Sequence, residues 1–263
     1  LAAASVCFGR CALAAELKGA VLDEATAQPI AARVYVYDST GEPFHVKSDG
    51  GSAISYDKRR GSKSFEFHTT ISAHPFRVEL PAGEYTVTIE KGKEYIPATR
   101  TVKLTDDGVT SLTIRLRRWI DMSSRGWYSG ETHVHRTVAE LPTLQLAENV
   151  NVAFPLTAWV KDSEQTPVDQ GSSSRDRPQG RLVHIDETHV FWPMNTEYEI
   201  FTVRGANHTL GAVFVLNHRT PLELSAPPVG PVAEEARRQG AFLELDKHSW
   251  PWSVMIVPQM KVD

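Results

Sequence analysis

From residue 17 to residue 118, apolar and polar residues alternate with period two, and turn-forming residues recur about every ten positions. Side chains on a strand point alternately to its two faces, so this rhythm predicts a sheet with one buried face rather than helices. The clearest predicted strands are 33–37, 76–80, 84–89 and 111–116. Asp38-Ser39-Thr40-Gly41 and Pro81-Ala82-Gly83 supply turns between them. The stretch 47–64 is polar and rich in Gly and Ser, and reads as a mobile loop. Its Lys58-Arg59-Arg60 run is a solvated basic stretch rather than a binding patch. These features predict an all-β sandwich over residues 16–118.

The pattern changes after Arg118. Apolar, strand-like runs at 182–192, 210–216 and 241–245 each lead into polar residues. Residues 232–239 alternate apolar and charged faces at helical spacing and stop at Gly240. Strands alternating with helical segments predict a parallel α/β barrel over 119–263.

Composition narrows the functional classes. The chain has 263 residues, a net charge of −4 and only two cysteines, Cys7 and Cys11. A disulfide scaffold and a thiolate zinc site are excluded from the body, and no basic field is present to hold nucleic acid. No later run approaches the ~18 apolar residues of a membrane helix, so no transmembrane segment is expected. Residues 1–15 are small and apolar apart from Arg10, with Ala12-Leu13-Ala14 before Glu16. They read as the remnant of a secretory signal, which predicts a periplasmic or extracellular protein; the alternative is a short core helix. The start at Leu1 and the stop just after the apolar 253–257 predict a piece of a longer chain.

The candidate chemistry is histidine-based. Seven of the ten histidines lie in 133–248. On a strand, His133 and His135 face one side and offer two imidazoles to one metal, with Glu131 on the same side. Asp246 and His248 repeat that spacing. Glu197 and Glu199 follow a strand-like run, and His208 and His218 flank the next one. His45, His68 and His74 read as surface or packing residues, as do His184 and His189. Trp250 and Trp252 offer either a pocket wall or barrel packing. Arg136 and Lys247 adjoin proposed ligands and offer either an anion contact or an exposed ion pair.

Two resemblances follow from these residues. Gly19-Ala20-Val21 with Asp23, Pro29, Ala32 and Leu80-Pro81-Ala82-Gly83-Glu84-Tyr85 resemble a transthyretin-like, carboxypeptidase-regulatory domain. Gly130-Glu131-Thr132-His133-Val134-His135-Arg136 resembles the first motif of the polymerase-and-histidinol-phosphatase (PHP) metallohydrolases. With 195–203, 207–218 and 243–253 it resembles their CehA/McbA-like, carbaryl-hydrolase-related branch. That likeness implies a distorted (β/α) barrel of seven strands, truncated at its C-terminal end. It implies a centre of two divalent ions (zinc, manganese or iron) on His133, His135, Glu197, His208 and His248, with Glu199 the fallback for Glu197. Catalytic roles would fall to Glu197, His248 and Asp246. Two departures stand out: 155–160 lacks the family's Asp-His, and the last Asp-x-His would lie beyond Asp263.

The resemblance implies metal-dependent hydrolysis of ester, carbamate or phosphoester bonds in a small-molecule substrate, through a metal-activated hydroxide. The rival reading is a non-catalytic secreted binding protein with a degenerate metal-binding barrel.

Overall fold

The structure is a computed structural model and describes residues 15–60, 64–106, 108–169, 179–246 and 257. The expected signal remnant therefore lies almost wholly outside the described residues. The chain divides into two compact units, residues 1–125 with 146–149 and residues 126–145 with 150–263.

In the first unit, the period-two rhythm becomes strand. The strands are β1 (Ala15–Asp23), β2 (Ala32–Asp38), β3 (Pro43–Phe44), β4 (Lys47–Ser48), β5 (Ala53–Arg60) and β6 (Ser64–Ile71). They continue with β7 (Phe76–Leu80), β8 (Gly83–Glu90), β9 (Ala98–Leu104) and β10 (Val109–Leu116). One sheet runs β10-β1-β7-β4; the other runs β5-β6-β2-β8-β9, with β3 on β2. Alternate residues turn inward, so Leu17, Val34, Phe76, Leu80, Val87, Ile89, Ile114 and Leu116 form one buried core. The expected strands fall on β2, β7, β8 and β10, and the β-sandwich expectation holds for this half. One expectation fails: 47–64 contains β4 and β5 rather than a loop. β5 pairs with β6 from Ala53↔Ile71 to Arg60↔Ser64. It is the outer strand of its sheet, where polar and basic side chains are tolerated, so its composition imitates a loop.

The second unit begins with β11 (Gly130–Val134), helix α1 (Leu141–Glu148, its last turn counted with the first unit) and β12 (Val152–Pro155). Then come β13 (Ala158–Asp162), β14 (Val168–Asp169), β15 (Val183–His184), β16 (Val190–Phe191) and β17 (Thr196–Val203). It ends with β18 (Ala206–Leu216), helix α2 (Gly230–Gln239) and β19 (Phe242–Asp246). Two sheets result, β11-β12-β16-β15 and β14-β13-β17-β18-β19. The expected α2 is present. Gly240 closes it in the left-handed conformation at φ 71°, donating to the carbonyls of Ala236 and Arg237. Its Val232, Ala233 and Ala236 pack on Tyr198, Val213, Val215 and Leu243, on one face of the five-stranded sheet.

The expected parallel (β/α) barrel of seven strands is not this architecture. β17 and β18 are joined only by Arg204-Gly205, both at positive φ, so they form an antiparallel hairpin. A parallel pair needs a crossover of a dozen or more residues, which this link cannot provide. β18 and β19 are also antiparallel. Among the described residues of the second unit, parallel pairing is confined to β11–β12, β12–β16 and β13–β17. The described residues contain two α-helices, too few to cover a closed parallel sheet. The expected strand 182–192 reduces to β15 and β16 around an Asp186 turn. No helix of the described residues is long and apolar enough to cross a membrane.

Candidate functional site

The site is built on the face of the five-stranded sheet opposite α2. Glu197 is the second residue of β17, so it opens a strand rather than closing one as expected. Cross-strand register places it between Trp159 of β13 and Phe214 of β18. Phe214 in turn pairs with Glu244, while Glu199 pairs with Ala212 and Ala212 with Asp246. Directly paired residues share a face, and so do residues two apart on one strand. Four carboxylates, Glu197, Glu199, Glu244 and Asp246, therefore occupy one face of the sheet.

The two histidines stand over this face. His133 stacks edge-on against Phe214 with ring centres 4.8 Å apart. His135 lies against Trp159 at 4.9 Å. The aromatic neighbours on either side of Glu197 thus each carry one imidazole. The Nε2 atoms of His133 and His135 are 3.2 Å apart, and His135 Nε2 is 3.0 Å from Glu197 Oε2. One donor atom from each of His133, His135 and Glu197 fits within 4.8 Å of the others, the spacing of a metal-ligand set. Both imidazoles are more than a third exposed, whereas Glu197 is fully buried. Asp246 Oδ2 lies 3.8 Å from His133 Nδ1, on the far side of the ring from the donor atom. A carboxylate there orients an imidazole and fixes its tautomer. Thr132 donates from its hydroxyl to Glu244 at 3.0 Å, tying β11 to β19.

The structure thus brings together His133, His135, Glu197 and Asp246. Glu131 accepts a hydrogen bond from the backbone N–H of His133 at 2.9 Å and stands outside the donor set. Glu199 is buried on the carboxylate face but also outside that set. His248, Lys247, Trp250 and Trp252 lie outside the described residues. The backbone of His208 belongs to β18, but its side chain also lies outside them. Arg136 faces Glu140 at 3.9 Å, the ion-pair alternative.

The remaining described histidines stand outside the donor set. His218 is buried; its Nδ1 donates to the Thr220 carbonyl, which leaves Nε2 to accept from the Thr196 hydroxyl, each at 2.9 Å. Burial pushes its pKa from 6.5 down to about 4, so the ring is neutral. His189 is buried and its Nδ1 faces Asp186 at 2.9 Å. Burial raises the Asp186 pKa, but the Thr188 N–H and the His189 side chain and N–H outweigh it and hold the carboxyl low. His184 is exposed. In the first unit His45 stacks on Phe67, and His68 packs between Tyr35 and Tyr56. Trp159 and Phe214 went unnoticed in sequence because their roles come from register, which no spacing within one strand reveals.

Comparison with known proteins adds one family. Residues 70–119 match the PEGA domain. None of the curated proteins matches the chain. Among solved structures, the chain is similar to the minor pilin of Streptococcus agalactiae, with 20% identity over 41% of this chain and 45% of that one, and a TM-score of 0.28. It is similar to the Bacillus anthracis TIE protein at 16% identity, over 56% and 22%, with a TM-score of 0.27. A DUF3823 family protein from Parabacteroides merdae gives 17% identity, 41% and 46% coverage, and a TM-score of 0.23. The chain spans less than half the length of each of these proteins.

The expected family is corrected accordingly. The β17–β18 hairpin and the antiparallel β18–β19 pair overturn the PHP and CehA/McbA-like assignment. The family that matches within the first unit is PEGA rather than a transthyretin-like, carboxypeptidase-regulatory domain. The hydrolase, zinc and manganese chemistry inferred through that family loses its support. What stands for a metal is the local donor set alone.

Proposed function

We propose that this is an exported, non-catalytic binding protein whose second unit holds one divalent cation through His133, His135 and Glu197. The observation that carries this reading is the Glu197 carboxylate, fully enclosed in the sheet face and capped by the imidazole of His135. One donor atom from each of Glu197, His133 and His135 lies within 4.8 Å of the others, close enough for all three to share one ion. Two imidazole nitrogens with one carboxylate oxygen suit zinc, iron or manganese. The neighbouring Glu199, Glu244 and Asp246 add to the negative potential of the same face. A second metal position would draw on His208 and His248, which lie outside the described side chains. Export rests on the small, apolar run ending in Ala12-Leu13-Ala14, and the PEGA match supports it.

A second reading is favoured by one feature. Three protein ligands among the described residues, two of them on an exposed rim, leave a coordination position open, the arrangement in which a bound metal activates water for hydrolysis. X-ray absorption at the zinc edge tests the lead reading: two imidazoles and one carboxylate are expected, without sulfur. Turnover of aryl esters, carbamates or phosphoesters by the zinc-loaded chain, absent from His133→Ala/His135→Ala, would replace it with the second.

A further inference from the structure

A cleft opens beside β13 and β14, on residues outside the donor set, and shares with it the Trp159 ring that also carries His135. Trp159, Val160 and Val168 give it apolar walls, and Lys161, Gln165 and Thr166 give it polar ones. Lys161 carries its charge. Its Nζ lies 3.7 Å from the centre of the Trp159 ring, a cation–π contact that holds the ammonium at the apolar wall. The ion pairs of the described residues do not include Lys161. Asp162, the carboxylate of the cleft, accepts a hydrogen bond from the Thr202 hydroxyl. Val168 is 60% exposed, an apolar side chain open to a ligand.

We propose that this cleft binds a small organic carboxylate, its apolar body against Trp159 and Val168 and its carboxylate on Lys161. Charge complementarity selects the class. One ammonium matches one negative charge, and the apolar walls match an aryl or alkyl body better than a bare inorganic anion. Gln165 and Thr166 offer hydrogen bonds at the rim. This inference does not require the cation, since neither Lys161 nor Val168 belongs to the donor set and Trp159, which the two places share, is no ligand.

Sodium benzoate is the probe, titrated calorimetrically into the full chain with and without zinc, beside the neutral isostere benzyl alcohol. Lys161→Ala, Lys161→Arg and His133→Ala/His135→Ala are compared, with circular dichroism checking that each is folded. The expected result is benzoate binding in both metal states, about tenfold or more weaker in Lys161→Ala and largely kept in Lys161→Arg. Benzyl alcohol binds about tenfold or more weaker than benzoate. Unchanged affinity in folded Lys161→Ala, or no benzoate binding by the wild type, overturns the proposal. Binding that requires zinc and disappears only in His133→Ala/His135→Ala also overturns it, because benzoate would then be a metal ligand.

Discussion

The Oε2 atom of Glu197 lies 3.0 Å from Nε2 of His135, with Glu197 fully buried and the His135 side chain 38% exposed. An acid at the floor and a base at the rim make a site that solvent reaches from one side. Glu197→Gln keeps the shape and removes the charge. Losing a residue that only orients a ligand costs about 10–100-fold in metal affinity, so losing this one is expected to weaken zinc binding by at least about 100-fold. The metal-free variant is expected to stay folded, since the amide keeps the volume of the carboxyl. Competition against a chelating dye, with thermal unfolding of the metal-free proteins, measures both.

His218 sets a pH dependence of stability. In the folded chain it stays neutral down to about pH 4, whereas unfolded it takes a proton near 6.5. Between these values the unfolded chain binds more protons, so stability rises with pH from about 4 to 6.5 and is level above. The whole window amounts to about 3 kcal/mol. His218→Gln does not titrate, so its stability is expected to fall less between pH 7 and pH 4.5. Urea unfolding of both proteins at the two pH values measures the difference.

Gly19 holds the first unit's sheet against Phe76. The two are paired across β1 and β7, and a Cβ on Gly19 would lie 2.0 Å from Phe76 Cζ. Phe76 is only 1% exposed and has little room to yield. Gly19→Ala is therefore expected to destabilise the chain by about 1–3 kcal/mol through overpacking. Trimming the ring in Gly19→Ala/Phe76→Leu should cost less than the two single changes added together, because they share one volume. Urea midpoints of the four proteins close the cycle.

Much of the first unit was legible from alternation alone, because β2, β7, β8 and β10 each turn alternate residues into the core. β5 was hidden because an outer strand with Ser55, Asp57, Lys58 and Arg59 has the composition of a loop. In the second unit, α2 was legible from its charged and apolar faces and from Gly240. The sheet topology was not, because polar strand ends suit a barrel and a hairpin equally. The two-residue Arg204-Gly205 link was the available sign that β17 and β18 run antiparallel. His133, His135 and Glu197 were legible as candidate ligands from residue type and spacing. Their aromatic supports and the four-carboxylate face arise from pairing between distant strands, which local sequence does not encode.

Metal content of the purified protein tests the cation site most directly. Purified protein is incubated with zinc, freed of excess by gel filtration and analysed for zinc per chain, beside His133→Ala/His135→Ala. One zinc per wild-type chain, lost from the folded variant, is the predicted result. A folded wild type that keeps no zinc, or a variant that keeps as much as the wild type, would contradict it.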